Sequence, residues 1–217
     1  MLRYHHQGIG DDDMEKGKVR QARAVETRKR LVAAAKKLIT ANGFDNVSIE
    51  DIAKEAGVSA GSFYTYFKKK EDVVEELNKS DFYHLAEIVN EREDEGLPDR
   101  LKVYCREFLD EIERTGIEIC RQWVRNNIAP VNMTIGDKET TKYRHDYEAM
   151  RSILKEGVRR AELKPDTPVD DLALFINAEL YGLMIAWCMS DASVIGSAKT
   201  DLFCETVIEP ALKPYRQ

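Results

Sequence analysis

The sequence predicts an all-α protein built from two unequal helical parts. Three observations carry that prediction. Apolar residues recur at i, i+3, i+4 spacing from Leu31 to Leu212, and no strand-like alternation of any length interrupts them. Glycine and proline are sparse, 12 and 6 in 217 residues, consistent with long helices and few turns. The charge divides at the same place as the pattern. Met14–Lys70 holds 13 Lys and Arg against 6 Asp and Glu, a net of +7, while residues 71–217 hold 19 against 30, a net of −11. Residues 1–13 add −2, which gives the −6 of the whole chain.

Taken in order, the opening MLRYHHQGIGDDDM reads as a cloning remnant or a native arm, and 1–22 is set apart on that basis. Leu31, Ala34, Ala35, Leu38 and Ile39 form the stripe of a packing helix that ends near Asn42-Gly43. The next helix opens at Ser48, an N-cap whose hydroxyl can accept from first-turn amides. Asp51 stands at the capping-box position, and Val47 with Ile52 fits a hydrophobic staple. Gly57 ends this helix and Ser59 caps another after a three-residue turn, which is the helix-turn-helix unit.

That second helix, Ala60 to Phe67, divides by face. Phe63 and Phe67 are four apart and anchor it, whereas Gly61, Tyr64 and Thr65 share another side. Glycine costs about 1 kcal/mol in a helix interior, a cost that close approach of backbone to DNA would justify. Lys68, Lys69 and Lys70 follow, where backbone phosphates would lie. The residues alone also fit a helical hairpin used for packing or protein contact, with a solvated polar face. Concentration of positive charge around this unit in an acidic protein favours DNA.

Beyond Lys70, Val73, Val74, Leu77, Phe82, Leu85 and Val89 predict a linking helix to about Glu95, broken by Gly96-Leu97-Pro98. Further helices are expected over Pro98–Arg114, Ile117–Asn126, Lys138–Ala161, Pro168–Asp191 and Thr200–Leu212, with a loop through Pro130 and Gly136. The fourth of these is apolar on two faces and must be covered on both. Leu172, Phe175, Ile176, Leu180 and Leu183 are the candidate dimer face. Phe108, Cys120, Trp123, Met133, Tyr147, Met150, Tyr181, Met184 and Trp187 supply the aromatics and thioethers of an adaptable pocket, or ordinary core. Arg121, Arg125 and His145 either fix an anionic group there or are solvated.

Composition narrows the function classes. With 43% apolar and 33% charged residues, the chain is a folded helical protein, not a disordered one. Its longest apolar run, Leu180–Met189, is ten residues, too short to span a bilayer. No secretory apolar region is visible at the N-terminus, so a cytoplasmic protein is expected. Cys105, Cys120, Cys188 and Cys204 are widely spaced and expected to be reduced and buried, with a redox or metal sensor as the alternative. Neither His84 nor His145 pairs with a cysteine at ligand spacing, and no metal or cofactor is expected. Carboxylates are plentiful, yet no nucleophile elbow, phosphate loop or metal-ligand cluster accompanies them, so no enzyme is expected.

TRKRLVAAAKKLITANGFDNVSIEDIAKEAGVSAGSFYTYFKKKE, from Thr27 to Glu71, resembles the TetR/AcrR (tetracycline-repressor-like) family of transcriptional regulators. The likeness rests on Gly43-Phe44, Ile52-Ala53, Ala56-Gly57-Val58-Ser59, Gly61, Tyr64, Tyr66-Phe67 and Lys70-Glu71. It implies a helix-turn-helix DNA-binding domain over 23–70 and a ligand-binding and dimerisation domain over 71–217. By the same resemblance, Ser48, Tyr66, Lys70 and Arg28 contact or orient against phosphates of double-stranded DNA, and Ser59 caps the recognition helix. Ala60, Gly61, Ser62, Tyr64 and Thr65 approach base edges or adjacent backbone, Ala60 and Thr65 being smaller than the residues many relatives carry. The implied protein is a homodimeric repressor, its recognition helices meeting half-sites of a pseudo-palindromic operator about 34–36 Å apart. An unidentified small molecule would release it.

Overall fold

The computed structural model describes residues 11–82, 94–128, 142–190 and 197–217, together with 85, 88, 91 and 92. His84, Val89, Met133, Pro130, Gly136 and the start of the helix expected from Lys138 lie outside the described residues, as does the side chain of Phe82. Contacts divide the chain into two compact units, Met1–Val73 and Val74–Gln217. Among the described residues the secondary structure is helical, apart from one isolated bridge between Leu163 and Arg216.

Unit one opens with α1 (Asp11–Asn42), which begins ahead of the expected packing helix and runs through part of the segment set apart as an arm. The described side chains over 17–23 are exposed. Leu31, Ala34, Ala35 and Ile39 are buried, and Leu38 is half-buried at the margin of the stripe. Gly43, at φ 79°, turns the chain out of the helix into a short 3-10 turn, Phe44–Asn46. α2 (Ile49–Glu55) and α3 (Ala60–Tyr66) follow. Both α2 ends are closed by local bonds. Asp51 N–H donates to Ser48 Oγ at 3.1 Å and Ser48 N–H to Asp51 Oδ2 at 2.9 Å, a full capping box. The Ser48 hydroxyl and amide together hold the Asp51 carboxyl below its ordinary value. At the other end Gly57, φ 68°, lets Val58 N–H reach Ala53 O and Gly57 N–H reach Lys54 O. These are the two bonds of a Schellman motif.

α4 (Lys70–Phe82) contains the boundary between the units. The linking helix expected to about Glu95 has given way to turns by residue 91, with Glu95 N–H on Arg92 O.

Unit two is assembled from α5 (Leu97–Thr115), α6 (Ile117–Ile128), α7 (Lys142–Arg159) and α8 (Val169–Ser190). A C-terminal run follows: α9 (Thr200–Phe203), a π-helical turn (Cys204–Ile208) and α10 (Glu209–Leu212). The π turn precedes Pro210, which has no N–H for the helical ladder, and Glu209 N–H bonds back to Cys204 O. α8 packs on α7, α6 and α5, and α9 packs on α5. Gly157 of α7 allows a close approach: a Cβ there would lie 2.9 Å from Leu97 Cδ2, so the Leu97 side chain would have to shift. α7 ends in a second Schellman motif with Ala161 in the left-handed region at φ 57°. By length and composition α8 could cross a membrane. Its Leu172, Ala173, Ile176, Asn177, Leu180, Tyr181 and Met184 are buried within unit two, as in a core helix.

Candidate functional site

The helix-turn-helix presents α3 with its anchors inward. Phe63 and Phe67 are buried with ring centroids 5.5 Å apart. Gly61, Tyr64 and Thr65 lie outward, Tyr64 with 57% of its surface exposed, while Ala60, Ser62 and Tyr66 are half-buried. Ser59 accepts from Ser62 N–H at 3.2 Å and lies 2.9 Å from the Ser62 hydroxyl, so it caps α3. The hydroxyls of Ser48 and Ser59 thus both serve helix caps.

Gly61 has no internal reason to be glycine. Its φ is not in the left-handed region, and an added Cβ would meet only Ser59 Oγ, at an ordinary 3.8 Å.

Among the cations, Lys68 and Lys69 are exposed, and their backbone amides both donate to Asp72 Oδ2, at 2.9 and 3.1 Å. That acceptor fixes the turn carrying them, a role the sequence reading did not assign. Arg28 is exposed, with its guanidinium carbon 5.1 Å from the centre of the Phe67 ring. Lys70 is placed differently from its neighbours. Its ammonium donates to Phe44 O at 2.7 Å and Val47 O at 2.6 Å, and sits 4.1 Å from the centre of the Phe44 ring. Two of three donors are therefore spent inside unit one, clamping the start of α4 to the turn before α2.

In unit two the expected pocket residues separate. Phe108, Trp123 and Tyr181 come together, with Tyr181 5.4 Å from Phe108 and 5.7 Å from Trp123 by ring centroids. Cys120, Met150 and Met184 are buried, whereas Tyr147 and Trp187 are half-buried. At this aromatic group lies a polar cluster absent from the sequence reading. Lys142 Nζ pairs with Asp146 Oδ2, Tyr181 OH donates to the same oxygen at 2.7 Å, and Tyr104 OH donates to Asp146 O at 3.1 Å. Lys142 Nζ is 4.8 Å from the Phe108 ring centre and 5.2 Å from that of Tyr181, within cation–π range.

Burial lowers the Lys142 ammonium pKa against the pull of Asp146, and burial pushes both Tyr104 and Tyr181 well above the ordinary tyrosine value. Asp146 Oδ1 and both side-chain polar atoms of Asn177 are buried with no hydrogen-bond partner among the described residues. Buried polar groups are rarely left so. Of the three alternative anion-fixing residues, Arg121 donates through Nε to Cys188 O at 2.9 Å and pairs with Glu118, Arg125 is exposed, and His145 is half-buried.

The dimer face requires a correction. Leu172, Ile176 and Leu180 are turned into the core of unit two, and Leu183 is half-buried. Only Phe175 of the five is exposed, at 61%, accompanied by Leu174 and Met189 on α8 and Leu202 on α9. The reason is periodicity. In a helix apolar all round, two stripes are equally visible in sequence, and packing on α5, α6 and α7 decides which one is inside.

Residues 31–77 match the family model described as bacterial regulatory proteins, tetR family. The chain is 24% identical to the HTH-type transcriptional regulator AcrR of Shigella flexneri over 176 residues, 78% of this chain and 82% of that protein. It is 26% identical to the fatty acid metabolism regulator protein of Bacillus subtilis over 165 residues, covering 75% and 84% respectively. The fold is similar to that of the transcriptional regulator FadR from Bacillus subtilis, solved in complex with stearoyl-CoA. The TM-score is 0.65 at 22% identity, over 85% of this chain and 97% of that one. With a helix-turn-helix capped and anchored as described, residues 31–77 carry the tetR-family domain of bacterial regulatory proteins, and most of the chain is similar to HTH-type transcriptional regulators.

Proposed function

We propose that the protein is a cytoplasmic homodimeric repressor, without enzymatic activity, that binds a pseudo-palindromic operator and is released by a small molecule held in its C-terminal unit. The observation that carries the DNA side is the outward face of α3: an exposed Tyr64 and Thr65 beside a glycine for which the protein itself has no use. Arg28, Lys68 and Lys69 supply phosphate contacts around it, and Lys70 has one donor left for the same purpose. The half-buried Tyr66 is assigned to phosphate as well. Ser48 and Ser59 act through the amides they order, and Ala60 and Ser62 offer the backbone of the first turn.

The exposed Leu174, Phe175, Met189 and Leu202 supply the apolar face for a second copy. The effector is assigned to the cluster around Asp146 and Tyr181, where orphaned polar atoms lie among aromatic rings. A largely apolar molecule with a polar end fits that chemistry, and the related Bacillus subtilis fold holds stearoyl-CoA. Release requires the effector to favour one conformation over another, with a coupling of about 1–3 kcal/mol. The domain boundaries follow function, with 23–70 for DNA and 71–217 for effector and dimer.

The test is operator binding against salt. Affinity is expected to fall steeply with salt, and Tyr64→Ala to weaken binding at every salt concentration. A Tyr64→Ala protein that binds as tightly as the parent would refute the assigned face. For the dimer, Phe175→Glu is expected to shift the sedimenting species from two copies to one. An unchanged species would place the interface elsewhere.

A further inference from the structure

Cys105 and Cys204 belong neither to the DNA-facing helix nor to the buried polar cluster, yet they are brought together from positions 99 residues apart. Cys105 is buried on α5, and Cys204, half-buried, opens the π turn of the C-terminal run. Two observations set them against each other. Lys102 Nζ pairs with Asp201 Oδ1 at 2.6 Å, and each of these residues stands three before one of the cysteines, on the same helical face. The thiols also lie close enough to perturb each other, Cys204 raising Cys105 and Cys105 lowering Cys204. The remaining cysteines have other surroundings: the Cys120 thiol donates to Ile112 O at 3.8 Å, and Cys188 lies beside Arg121.

The surroundings make the pair unequal. The Cys105 side chain, with help from the Lys102 ammonium, holds the Cys204 thiol below its ordinary value, against burial, Asp201 and Glu209. The Cys204 side chain and burial push Cys105 well up. A partly exposed thiol with a lowered value beside a buried, protonated thiol is the arrangement of a reactive cysteine with its resolving partner. Leu202, on the opposite side of the same turn, is the residue of this run assigned to the dimer face, so Cys204 is not needed there.

We propose that Cys204 and Cys105 form an oxidisable dithiol, a modification site for hydroperoxides that closes to a disulfide tying α5 to the C-terminal run. The Cys204 thiolate attacks the outer peroxide oxygen. An S–O bond forms as the O–O bond breaks, the sulfur is oxidised to sulfenic acid, and the peroxide is reduced to an alcohol, or to water if it is hydrogen peroxide. Cys105 then attacks the Cys204 sulfur. The S–S bond forms, the S–O bond breaks, and the Cys105 proton leaves with the hydroxyl as water.

The test is peptide mapping of the full-length protein after exposure to hydrogen peroxide and blocking of free thiols. The expected product joins tryptic peptide 103–106 to 200–216 at about 2 Da below their summed mass and is lost on reduction. With Cys105→Ser, Cys204 is expected to stop at sulfenic acid, trapped by dimedone, or to pass on to sulfinic acid. With Cys204→Ser, Cys105 is expected to stay reduced. Wild-type protein in which Cys204 is oxidised to sulfinic acid with Cys105 free would overturn the proposal. So would a disulfide that forms only in denaturant, or one that pairs Cys120 or Cys188 to an equal extent.

Discussion

Gly61→Ala separates what the fold needs from what DNA needs. Glycine is about 1 kcal/mol worse than alanine in a helix interior. Gly61 is the second residue of α3, so roughly half to all of that difference applies. Nothing inside the protein opposes the methyl group, since the backbone is not left-handed and the nearest atom to the added Cβ is Ser59 Oγ at 3.8 Å. The substitution is therefore expected to stabilise α3 by about 0.5–1 kcal/mol. Amide exchange over residues 63–67, followed by mass spectrometry on the full chain, should slow about two- to fivefold. Operator affinity should move the other way. A methyl group placed where the helix backbone approaches DNA forces the two surfaces apart, and a loss of about tenfold or more is expected, roughly 1.4 kcal/mol. The two effects have opposite sign, which no general damage to the domain can imitate. Faster exchange would show that Gly61 serves the fold after all. Unchanged operator affinity would show that the outward face of α3 does not touch DNA at this residue.

Three other outcomes follow from single contacts. Lys70→Ala strips Phe44 O and Val47 O of their donor and is expected to destabilise unit one by about 1–3 kcal/mol, read as a lower unfolding midpoint. If Lys70 also reaches phosphate, the slope of log affinity against log salt drops by about 1, and an unchanged slope with lower stability leaves it a clamp alone. Ala161→Gly relieves a left-handed alanine at the end of α7 and is expected to stabilise by about 0.5–1 kcal/mol in urea unfolding; a loss of stability would contradict the Schellman assignment. Tyr104 and Tyr181 have raised values in the folded state, so above about pH 10 the unfolded chain loses protons that the folded chain keeps. Their contribution is complete below pH 10 and lost as pH rises through the folded values. Absorbance titration should show two of the nine tyrosines ionising only with unfolding, and all nine ionising together near pH 10 would refute the burial.

The parts of the protein that were readable in the sequence are those decided by neighbours. Ser48 with Asp51, Gly57 with Val58 and Ser59 with Ser62 close their bonds within five residues, and each lies where the sequence alone places it. Phe63 and Phe67 were likewise legible as anchors, because four-residue spacing fixes a common face. Lys70 was not, because a long flexible side chain next to two other lysines carries no sign that it folds back onto Phe44. Lys142, Asp146 and Tyr104 were invisible for a related reason, since what makes them a cluster is the packing of α5, α7 and α8. The pairing of Cys105 with Cys204 belongs to the same class. On α8 the two apolar stripes were both seen, but their assignment to core and surface depended on helices distant in sequence.

The central claim is that this protein reads DNA as a symmetric pair of helix-turn-helix units. Its most direct test is selection of bound sequences from a random duplex pool by the purified protein at moderate salt. An enriched inverted repeat with half-site centres about one helical turn apart, roughly 10 base pairs, is the predicted result. Recovery of no common sequence, with only weak binding that vanishes as salt rises, would contradict it.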